Sequence, residues 1–409
     1  MAKKVYSLLV FVLIVSSFFG TTVIKTLGGW DSPPLYNGTP YAPGGVGAAK
    51  NYIFGTLATF LPSTNEFEPY LAESWKVEGN KFIVELKEGF YWDDGIPFTS
   101  KDVKATFIIG GGLRTWSNIW DSLDSIDTPD DYTVIFNLNE NRNILVTPYI
   151  LTEYLRIPYH LFEKWLQPAE EIIMLRKEYD AKKKESGENK IEYYENTISE
   201  KLKAFQDSYY AYKLPLPVGI GPFKVVKVTA DTMLLEKVDK YPGNIEFDQV
   251  EIGKEGANEV RWALIMAGEL DIHHPSTPPD VVSSILQKQP KVRHITVPDF
   301  SSFALVMNQR SYPFSDVRFR QALAYIIDRD KVRQLSNYYG TTIKYLCGVL
   351  PSTINSWVDT KVLNPYDKDL DKAANLLKEM GFEKDKKGFW CDNTGKKLEF
   401  EVAAPAETS

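Results

Sequence analysis

Short stretches of alternating apolar and polar residues are the first pattern along this chain. Phe82, Val84 and Leu86 alternate with charged neighbours, which is the period of a strand with one buried face. The same alternation returns in residues 132–138, directly after the turn-forming pair Asp130–Asp131. The pattern therefore predicts a small sheet domain in the first part of the chain.

Strands and helices alternate further along the chain. Residues 247–252, 258–267 and 270–272 predict a strand, a helix and a second strand, and Gly268 ends the helix. A βαβ unit pairs its strands in parallel, which places this part of the chain in an α/β lobe. The pattern also predicts strands at 224–228, 232–238, 292–297 and 303–307, and a helix within 51–61.

A stripe of apolar residues at helical spacing runs from Tyr194 to Tyr212. A densely charged helical stretch precedes it, and the residues 186–189 between the two break the pattern. We expect a helical hairpin over about residues 160–214 that projects from the body as a solvated accessory element. A contact surface for a transporter or a cell-surface partner is the alternative interpretation.

The segment from Pro69 to Phe107 carries an ordered series of short motifs. Gly95 supplies a tight turn, and Thr99 with Asp102 forms a capping box that starts a helix. The series reads Leu71-Ala72-Glu73-Ser74-Trp75, Leu86-Lys87-Glu88-Gly89, Trp92-Asp93-Asp94-Gly95, Pro97-Phe98-Thr99 and Asp102-Val103. This series resembles the signature of the family 5 extracellular solute-binding proteins, which serve ABC importers for oligopeptides, dipeptides, nickel and oligosaccharides.

Later stretches resemble the same family. They are Gly219-Ile220-Gly221-Pro222-Phe223, then Asn308 with Pro313-Phe314, Asp316, Arg318 and Arg320-Gln321-Ala322, and then Tyr366-Asp367 with Ala373, Leu376-Leu377 and Gly381-Phe382. Asp316 reads as a helix cap, and helical spacing places Arg318 and Arg320 on different faces, which favours structural pairing over a ligand clamp.

The resemblance implies an α/β, two-lobed periplasmic-binding-protein-like fold of the class II type, with an extra small α+β domain inserted in the first lobe. We expect a signal peptide at 1–22, lobe I at 23–50 and 216–300, the inserted domain at 51–215, and lobe II at 301–409. Family members continue well beyond this length, so we expect a C-terminally truncated chain with an incomplete lobe II.

The first residues predict export. Lys3 and Lys4 precede an apolar run over residues 5–19, which is shorter than the ~20 residues of a comfortable transmembrane helix. We expect a cleaved signal, with an uncleaved anchor as the alternative. The mature protein would be periplasmic or extracellular and associated with the membrane through its transporter.

Bulk properties exclude some classes of function. The net charge of −7 argues against a general nucleic-acid surface, and 44% hydrophobic residues argue against disorder. Cys347 and Cys391 are the two cysteines, and whether they pair stays open. The chain has no CxxC motif and its four histidines are scattered, so we expect no metal site and no cofactor.

The candidate ligand contacts follow from the resemblance, which places the Gly- and Pro-rich segment at 40–47 along the ligand cleft. The candidates are Trp30, Asp31, Trp116, Trp120, His273, Phe303 and Asn308. Ordinary packing is the alternative for the tryptophans. The His273–His274 pair is a poor chelator, because adjacent residues of a strand point to opposite faces. Gly110-Gly111-Gly112 lacks the Lys-Ser/Thr of a phosphate loop and reads as a helix stop.

The expected function is solute capture for an ABC importer, without catalysis. The partners would be a peptide or an oligosaccharide, with the choice open, and membrane permease subunits that work with a cytoplasmic ATPase. We expect a monomer. One alternative is an extracellular glycoside hydrolase that uses the carboxylate pairs Asp93–Asp94 or Glu170–Glu171. The other is a surface interaction or chaperone-like protein that uses the helical hairpin.

Overall fold

The computed structural model describes residues 21–61, 64–113, 117–140, 142–143, 145–186, 192–272, 277–296, 304–336, 339–349, 351 and 354–403. The predicted signal at 1–22 lies almost wholly outside them. The chain divides into two compact units, the first made of residues 1–61 and 66–276 and the second of residues 62–65 and 277–409.

The first unit is rich in strands. They are β1 (Val23–Gly28), β2 (Gly55–Thr56), β3 (Ala58–Leu61), β4 (Glu66–Pro69), β5 (Ala72–Glu78), β6 (Lys81–Leu86), β7 (Leu123–Asp127), β8 (Thr133–Leu138), β9 (Tyr154–Leu155), β10 (Phe223–Val228), β11 (Thr232–Lys237) and β12 (Gln249–Lys254). Its helices are α1 (Lys50–Ile53), α2 (Ser100–Gly112), α3 (Ser117–Trp120), α4 (Val146–Thr152), α5 (Tyr159–Phe162), α6 (Leu166–Ser186), α7 (Glu192–Ala211) and α8 (Asn258–Ala267).

One sheet joins the start of the described chain to residues far along it. Its strand order is β1-β12-β11-β10. β1 runs parallel to β12 with Val23 opposite Gln249, and the remaining pairs are antiparallel. The chain between β1 and β10 is divided: Trp30, Val46 and Ile53 pack in the core of this sheet, and the rest of the interval contains a second sheet.

That intervening structure contains a second sheet with its own core. The strand order is β5-β6-β8-β7, and every pair is antiparallel. Phe82 on β6 and Phe136 on β8 lie opposite each other and are buried. The ring of Phe107 from α2 packs edge-on against Phe136 with centroids 5.2 Å apart. The alternating pattern of these strands thus predicted the buried face correctly.

The predicted capping box starts α2. The Thr99 backbone N–H donates to Asp102 Oδ2 at 2.7 Å, and both arms of the box are present. Asp102 Oδ1 also accepts the backbone N–H of Tyr159 at 2.7 Å. Burial raises the pKa of the Asp102 carboxyl, while the hydrogen bonds from Tyr159 and Thr99 oppose the rise. This carboxylate therefore fixes the start of α2 and the segment that leads into α5.

Four predicted elements are wrong. The helix expected within 51–61 ends at Ile53, and β2 and β3 follow it. Residues 270–272 are not a strand, although the backbone N–H groups of Asp271 and Ile272 donate to Lys25 O at 2.9 and 3.3 Å. Residues 292–296 and 304–307 are irregular as well. A strand requires a ladder with a neighbouring strand, and the described residues provide none for these segments.

The helical hairpin exists, but its base is part of the core. The helices α6 and α7 form it, and α6 packs against α2. Phe205 and Tyr209 on α7 are buried in the same core as the second sheet, and the Tyr209 hydroxyl donates to Pro40 O at 2.9 Å. The expectation of a solvated, projecting hairpin is therefore wrong for this part of α7, because its apolar stripe faces the core.

Two of the three glycines at the end of α2, Gly111 and Gly112, allow close helix packing. A Cβ atom at Gly111 would lie 2.1 Å from Trp120 Nε1, and one at Gly112 would lie 2.7 Å from the Cβ of Ala169. Arg176 on α6 donates from Nη1 and Nη2 to the carbonyl oxygens of Gly111 and Gly112. The helix ends here as predicted, but the glycines are required by packing as well as by termination.

The Gly219–Gly221 motif is a contact between two backbones. A Cβ atom at Gly219 would lie 2.3 Å from Ile53 O, and one at Gly221 would lie 2.5 Å from Tyr52 O. The Gly221 N–H donates to Ile53 O at 2.8 Å. Asp93 of the signature segment is also tied here, since it donates its N–H to Gly219 O and accepts the Gly219 N–H on Oδ2.

The second unit is mainly helical. Its elements are α9 (Pro279–Lys288), α10 (Val317–Ile326), α11 (Arg329–Ser336), α12 (Ile354–Trp357), α13 (Leu370–Glu379), β13 (Glu383–Lys384) and β14 (Trp390–Cys391). Asp316 caps α10 as predicted and accepts the Arg318 N–H at 2.8 Å. Phe319 on α10 and Leu377 on α13 share a small core, and Gly381 follows α13 at a φ of +86°.

Two general features complete the description. In the part of the chain that the structure describes, no helix is long and apolar enough to cross a membrane. Cys347 is half-buried and Cys391 is buried, and each is a free thiol. The open question about their pairing is thus answered in favour of two separate thiols.

We predict that Gly221→Ala destabilises the protein. The added methyl group would meet the backbone oxygen of Tyr52 at 2.5 Å, and such overpacking costs about 2 kcal/mol. Urea denaturation should show a lower free energy of unfolding. Gly256→Ala is the matched control, because its Cβ would have no neighbour closer than 3.9 Å. Equal losses in both variants would contradict this explanation.

We predict that Asp93 makes stability depend on pH. Burial raises the pKa of its carboxyl from 3.8 to about 6, against the lowering effect of the Gly219 hydrogen bond. The folded state therefore binds more protons than the unfolded state between these values, and stability falls as pH rises through this window.

The Asp93→Asn variant should lose this dependence. Its free energy of unfolding should rise relative to the wild type by about 2 kcal/mol between pH 4 and pH 7. Urea midpoints across that range measure the difference. Asp239→Asn, at an exposed position, should run parallel to the wild type, and parallel curves for Asp93→Asn would refute the assignment.

Candidate functional site

A cavity of about 300 Å³ lies in the first unit beside the Gly- and Pro-rich segment. It is lined by Thr39, Pro40, Tyr41, Ala42, Gly45, Val46, Gly47, Lys50, Phe54 and Arg156. The segment follows β1, so it leaves the parallel edge of the first sheet. Loops that follow parallel strands are common positions for ligand sites in α/β proteins.

The loop that forms one wall is fixed by the base of the hairpin. Thr39 Oγ1 donates to Tyr212 O at 2.7 Å and accepts the Leu214 N–H at 3.1 Å. Gly44 has a φ of +83°, and a Cβ there would lie 2.1 Å from Leu35 O. Tyr41 also has a positive φ, +60°, which is uncommon for a residue other than glycine. These contacts preform the wall of the cavity.

Two cations and one carboxylate surround the cavity. Arg156 follows β9, and its Nη2 donates to Glu153 Oε1 at 3.2 Å. Its guanidinium lies over the Tyr41 and Tyr154 rings, 5.1 and 5.6 Å from their centroids. Lys50 Nζ lies 5.2 Å from the Tyr154 centroid. The three ionised groups leave an excess of one positive charge.

Burial keeps the phenol groups neutral. Burial raises the pKa of Tyr41 well above its ordinary value, with Arg156 opposing the rise. The pKa of Tyr154 is raised for the same reason. Burial also raises the pKa of the Glu153 carboxyl, and the charges of Arg156 and Lys50 lower it. The tyrosines therefore contribute aromatic surface and do not cancel the positive charge.

Among the residues predicted to contact ligand, those that the structure describes are not lining residues of this cavity. Trp30 is 8% exposed, packs in the core of the first sheet, and donates from Nε1 to Thr229 O at 3.4 Å. Asp31 beside it is exposed. Trp120 is buried and donates from Nε1 to Phe107 O at 3.0 Å. Asn308, in the second unit, is exposed and accepts the Arg310 N–H on Oδ1.

The remaining predicted contacts, Trp116, His273 and Phe303, lie outside the described residues. The ligand contacts of all these residues stay predictions. Sequence reasoning selected the Gly- and Pro-rich segment but missed Lys50 and Arg156. Arg156 carried no motif signal, because it meets the loop only through the fold.

The carboxylate pairs of the hydrolase alternative have structural partners. Asp93 bonds with Gly219, and Asp94 Oδ2 lies 2.7 Å from His160 Nε2. Glu171 pairs with Lys201 at 2.8 Å, and Glu170 lies 3.9 Å from Lys104. The described residues also contain no group of three or more His, Cys, Asp or Glu side chains that would hold a metal ion.

Comparison with known proteins agrees with this architecture. The dipeptide-binding protein of Escherichia coli (strain K12) is 24% identical over 88% of this chain, and the chain spans 62% of that protein. The periplasmic oligopeptide-binding protein of an oligopeptide ABC transporter from Thermotoga maritima superposes with a TM-score of 0.69 at 22% identity. That alignment covers 94% of this chain and 67% of the other.

A mannohexaose-bound periplasmic oligopeptide-binding protein from Thermotoga maritima superposes with a TM-score of 0.64 at 22% identity, over 94% of this chain and 66% of the other. These likenesses establish the two-lobed periplasmic-binding-protein fold. The chain spans about six-tenths of the length of the dipeptide-binding relative. The family model described as "Bacterial extracellular solute-binding proteins, family 5 Middle" matches residues 66–409. The chain therefore belongs to the family 5 bacterial extracellular solute-binding proteins.

Proposed function

We propose that this chain is the substrate-binding component of an ABC importer, acting outside the cytoplasm. It captures a peptide or an oligosaccharide by hinge closure between two lobes and delivers it to permease subunits that a cytoplasmic ATPase drives. Ligand binding shifts the equilibrium between open and closed states by its preference for the closed state. Family membership and the preformed cavity beside the Gly- and Pro-rich loop support this proposal.

Export is part of the same proposal. Lys3, Lys4 and the apolar run at residues 5–19 are typical of a cleaved secretory signal. The mature protein would then work in the periplasm or on the outer face of the cytoplasmic membrane as a monomer. It would need neither cofactor nor metal.

The hydrolase and the surface-interaction alternatives are less favourable. The nominated carboxylates are engaged by Gly219, His160 and lysines, which accounts for them without catalysis. The apolar stripe of α7 packs Phe205 and Tyr209 into the core, so this face is not available to an external partner. Of the three candidate functions, solute binding is the one that uses the residues lining the cavity.

We predict that a suitable solute stabilises the protein and is released unchanged. Thermal denaturation of the full chain with di-, tri- and pentapeptides and with mannohexaose should identify the ligand class by a raised Tm. A ligand at 100 times its Kd stabilises by about 2.7 kcal/mol. Chromatography of the recovered solute checks for turnover, and product formation would contradict the proposal.

A blocking variant ties the binding to the cavity. Gly47 lines the cavity, and a Cβ there would meet no atom within 4 Å, so Gly47→Trp adds a large side chain to the cavity wall without a clash at its Cβ. We predict that it abolishes the ligand-induced rise in Tm. Gly256→Trp, at another open glycine, is the matched control and should keep the full rise. An unchanged response in Gly47→Trp would place the solute elsewhere.

A further inference from the structure

We propose that the cavity of the first unit binds a carboxylate of the transported solute through Arg156 and Lys50. This inference rests on the proposed function and makes it more specific, because it assigns a charge to a ligand whose chemical class is otherwise open. The site would accept the C-terminal carboxylate of a peptide or the carboxylate of an acidic sugar.

The charged groups around the cavity are not balanced. Arg156 and Lys50 line it, and Glu153 is the carboxylate paired with Arg156. Tyr41 and Tyr154, the other titratable groups that face these side chains, are neutral because burial raises their pKa values. One positive charge thus remains without a counter-charge among these groups, and an ion of opposite sign would stabilise such a half-buried charge.

Arg156 uses only part of its hydrogen-bonding capacity within the protein. Its Nη2 donates to Glu153 Oε1 at 3.2 Å, whereas its Nη1 donates to no acceptor among the described residues. Arg318 in the second unit has the opposite environment, since its Nε and Nη2 both donate to the Asp316 carboxylate at 3.1 and 2.6 Å. Arg156 therefore keeps one donor group, Nη1, for an oxygen of a further carboxylate.

Lys50 is the second cation on the cavity wall. It is half-buried on the cavity wall, and its ammonium group lies over the Tyr154 ring. The Tyr154 hydroxyl is already engaged as donor to Asn51 Oδ1 at 2.7 Å. The ammonium can therefore reach a ligand oxygen without breaking an ion pair that the described residues form.

The size of the cavity limits what enters it. A volume of about 300 Å³ is at the lower end of the range for small-molecule sites. It suits one charged end of a solute better than a whole oligomer. A single surplus positive charge matches a singly charged carboxylate better than a phosphate ester, which carries close to two negative charges.

The test compares solutes that differ in one group. Isothermal titration of the full chain would use trialanine, trialanine amide, trigalacturonate and mannohexaose. We expect the free acid to bind at least about tenfold more tightly than the amide if the solute is a peptide, which corresponds to about 1.4 kcal/mol. If the solute is an acidic sugar, trigalacturonate should exceed mannohexaose by the same factor. Equal affinities within each pair would overturn the carboxylate site.

Two variants with opposite expected effects on the affinity for the acidic solute distinguish the carboxylate site from simple structural damage. Lys50→Met should weaken binding of the acidic solute about tenfold and leave its uncharged counterpart unaffected. Glu153→Gln should strengthen binding of the acid, because it removes the competing carboxylate. Lys101→Met is the matched control, since Lys101 lies over the Tyr159 ring and does not line the cavity. Weaker binding in Glu153→Gln, or no change in Lys50→Met, would refute the proposal.

A probe without any solute separates this inference from the proposed function. If none of the four solutes binds, solute capture from these classes is contradicted. Thermal denaturation with sodium acetate against acetamide then still decides the anion site. A rise in Tm with acetate that Lys50→Met abolishes would support it, and equal effects of acetate and acetamide would overturn it.

Discussion

The contact between the backbone at Gly219–Gly221 and the end of α1 determines how the first unit is put together. Neither glycine can carry a side chain, because the carbonyl oxygens of Tyr52 and Ile53 occupy that space. Ile53 belongs to the core of the first sheet, and Ile220 to the core of the second. The Asp93 carboxylate accepts the backbone N–H of Gly219 in the same segment. This close contact between two backbone segments thus fixes the sheet of β5 to β8 relative to the sheet of β1 and β10 to β12.

The same junction prepares the cavity. α1 ends at this contact, and Lys50 at its start lines the cavity wall. On the other side, Thr39 and Pro40 are hydrogen-bonded to the base of the hairpin through Tyr212 and Tyr209. A wall held from both sides loses little conformational entropy when a ligand binds, which favours affinity. The base of the hairpin therefore positions one wall of the cavity.

The cavity wall carries two cations, and one carboxylate pairs with one of them. Elsewhere in the described chain, cations such as Arg318 and Lys201 face carboxylates at close range. At the cavity, Glu153 pairs with Arg156, whereas the Lys50 ammonium lies over the Tyr154 ring without a paired carboxylate among the described residues. This imbalance is the observation behind our proposal that the cavity takes an acidic group of the solute.

The sequence by itself determined the family and the local elements. The capping box of Thr99 and Asp102, the Asp316 cap and the Gly268 helix end were predictable because each depends on residues within a few positions. Only the tertiary structure decided the cavity, because Arg156 and Lys50 are distant in sequence and meet through the pairing of β2 with β9. It also decided that Trp30 and Trp120 are core residues, since an aromatic ring in a sequence does not reveal whether protein or ligand covers it.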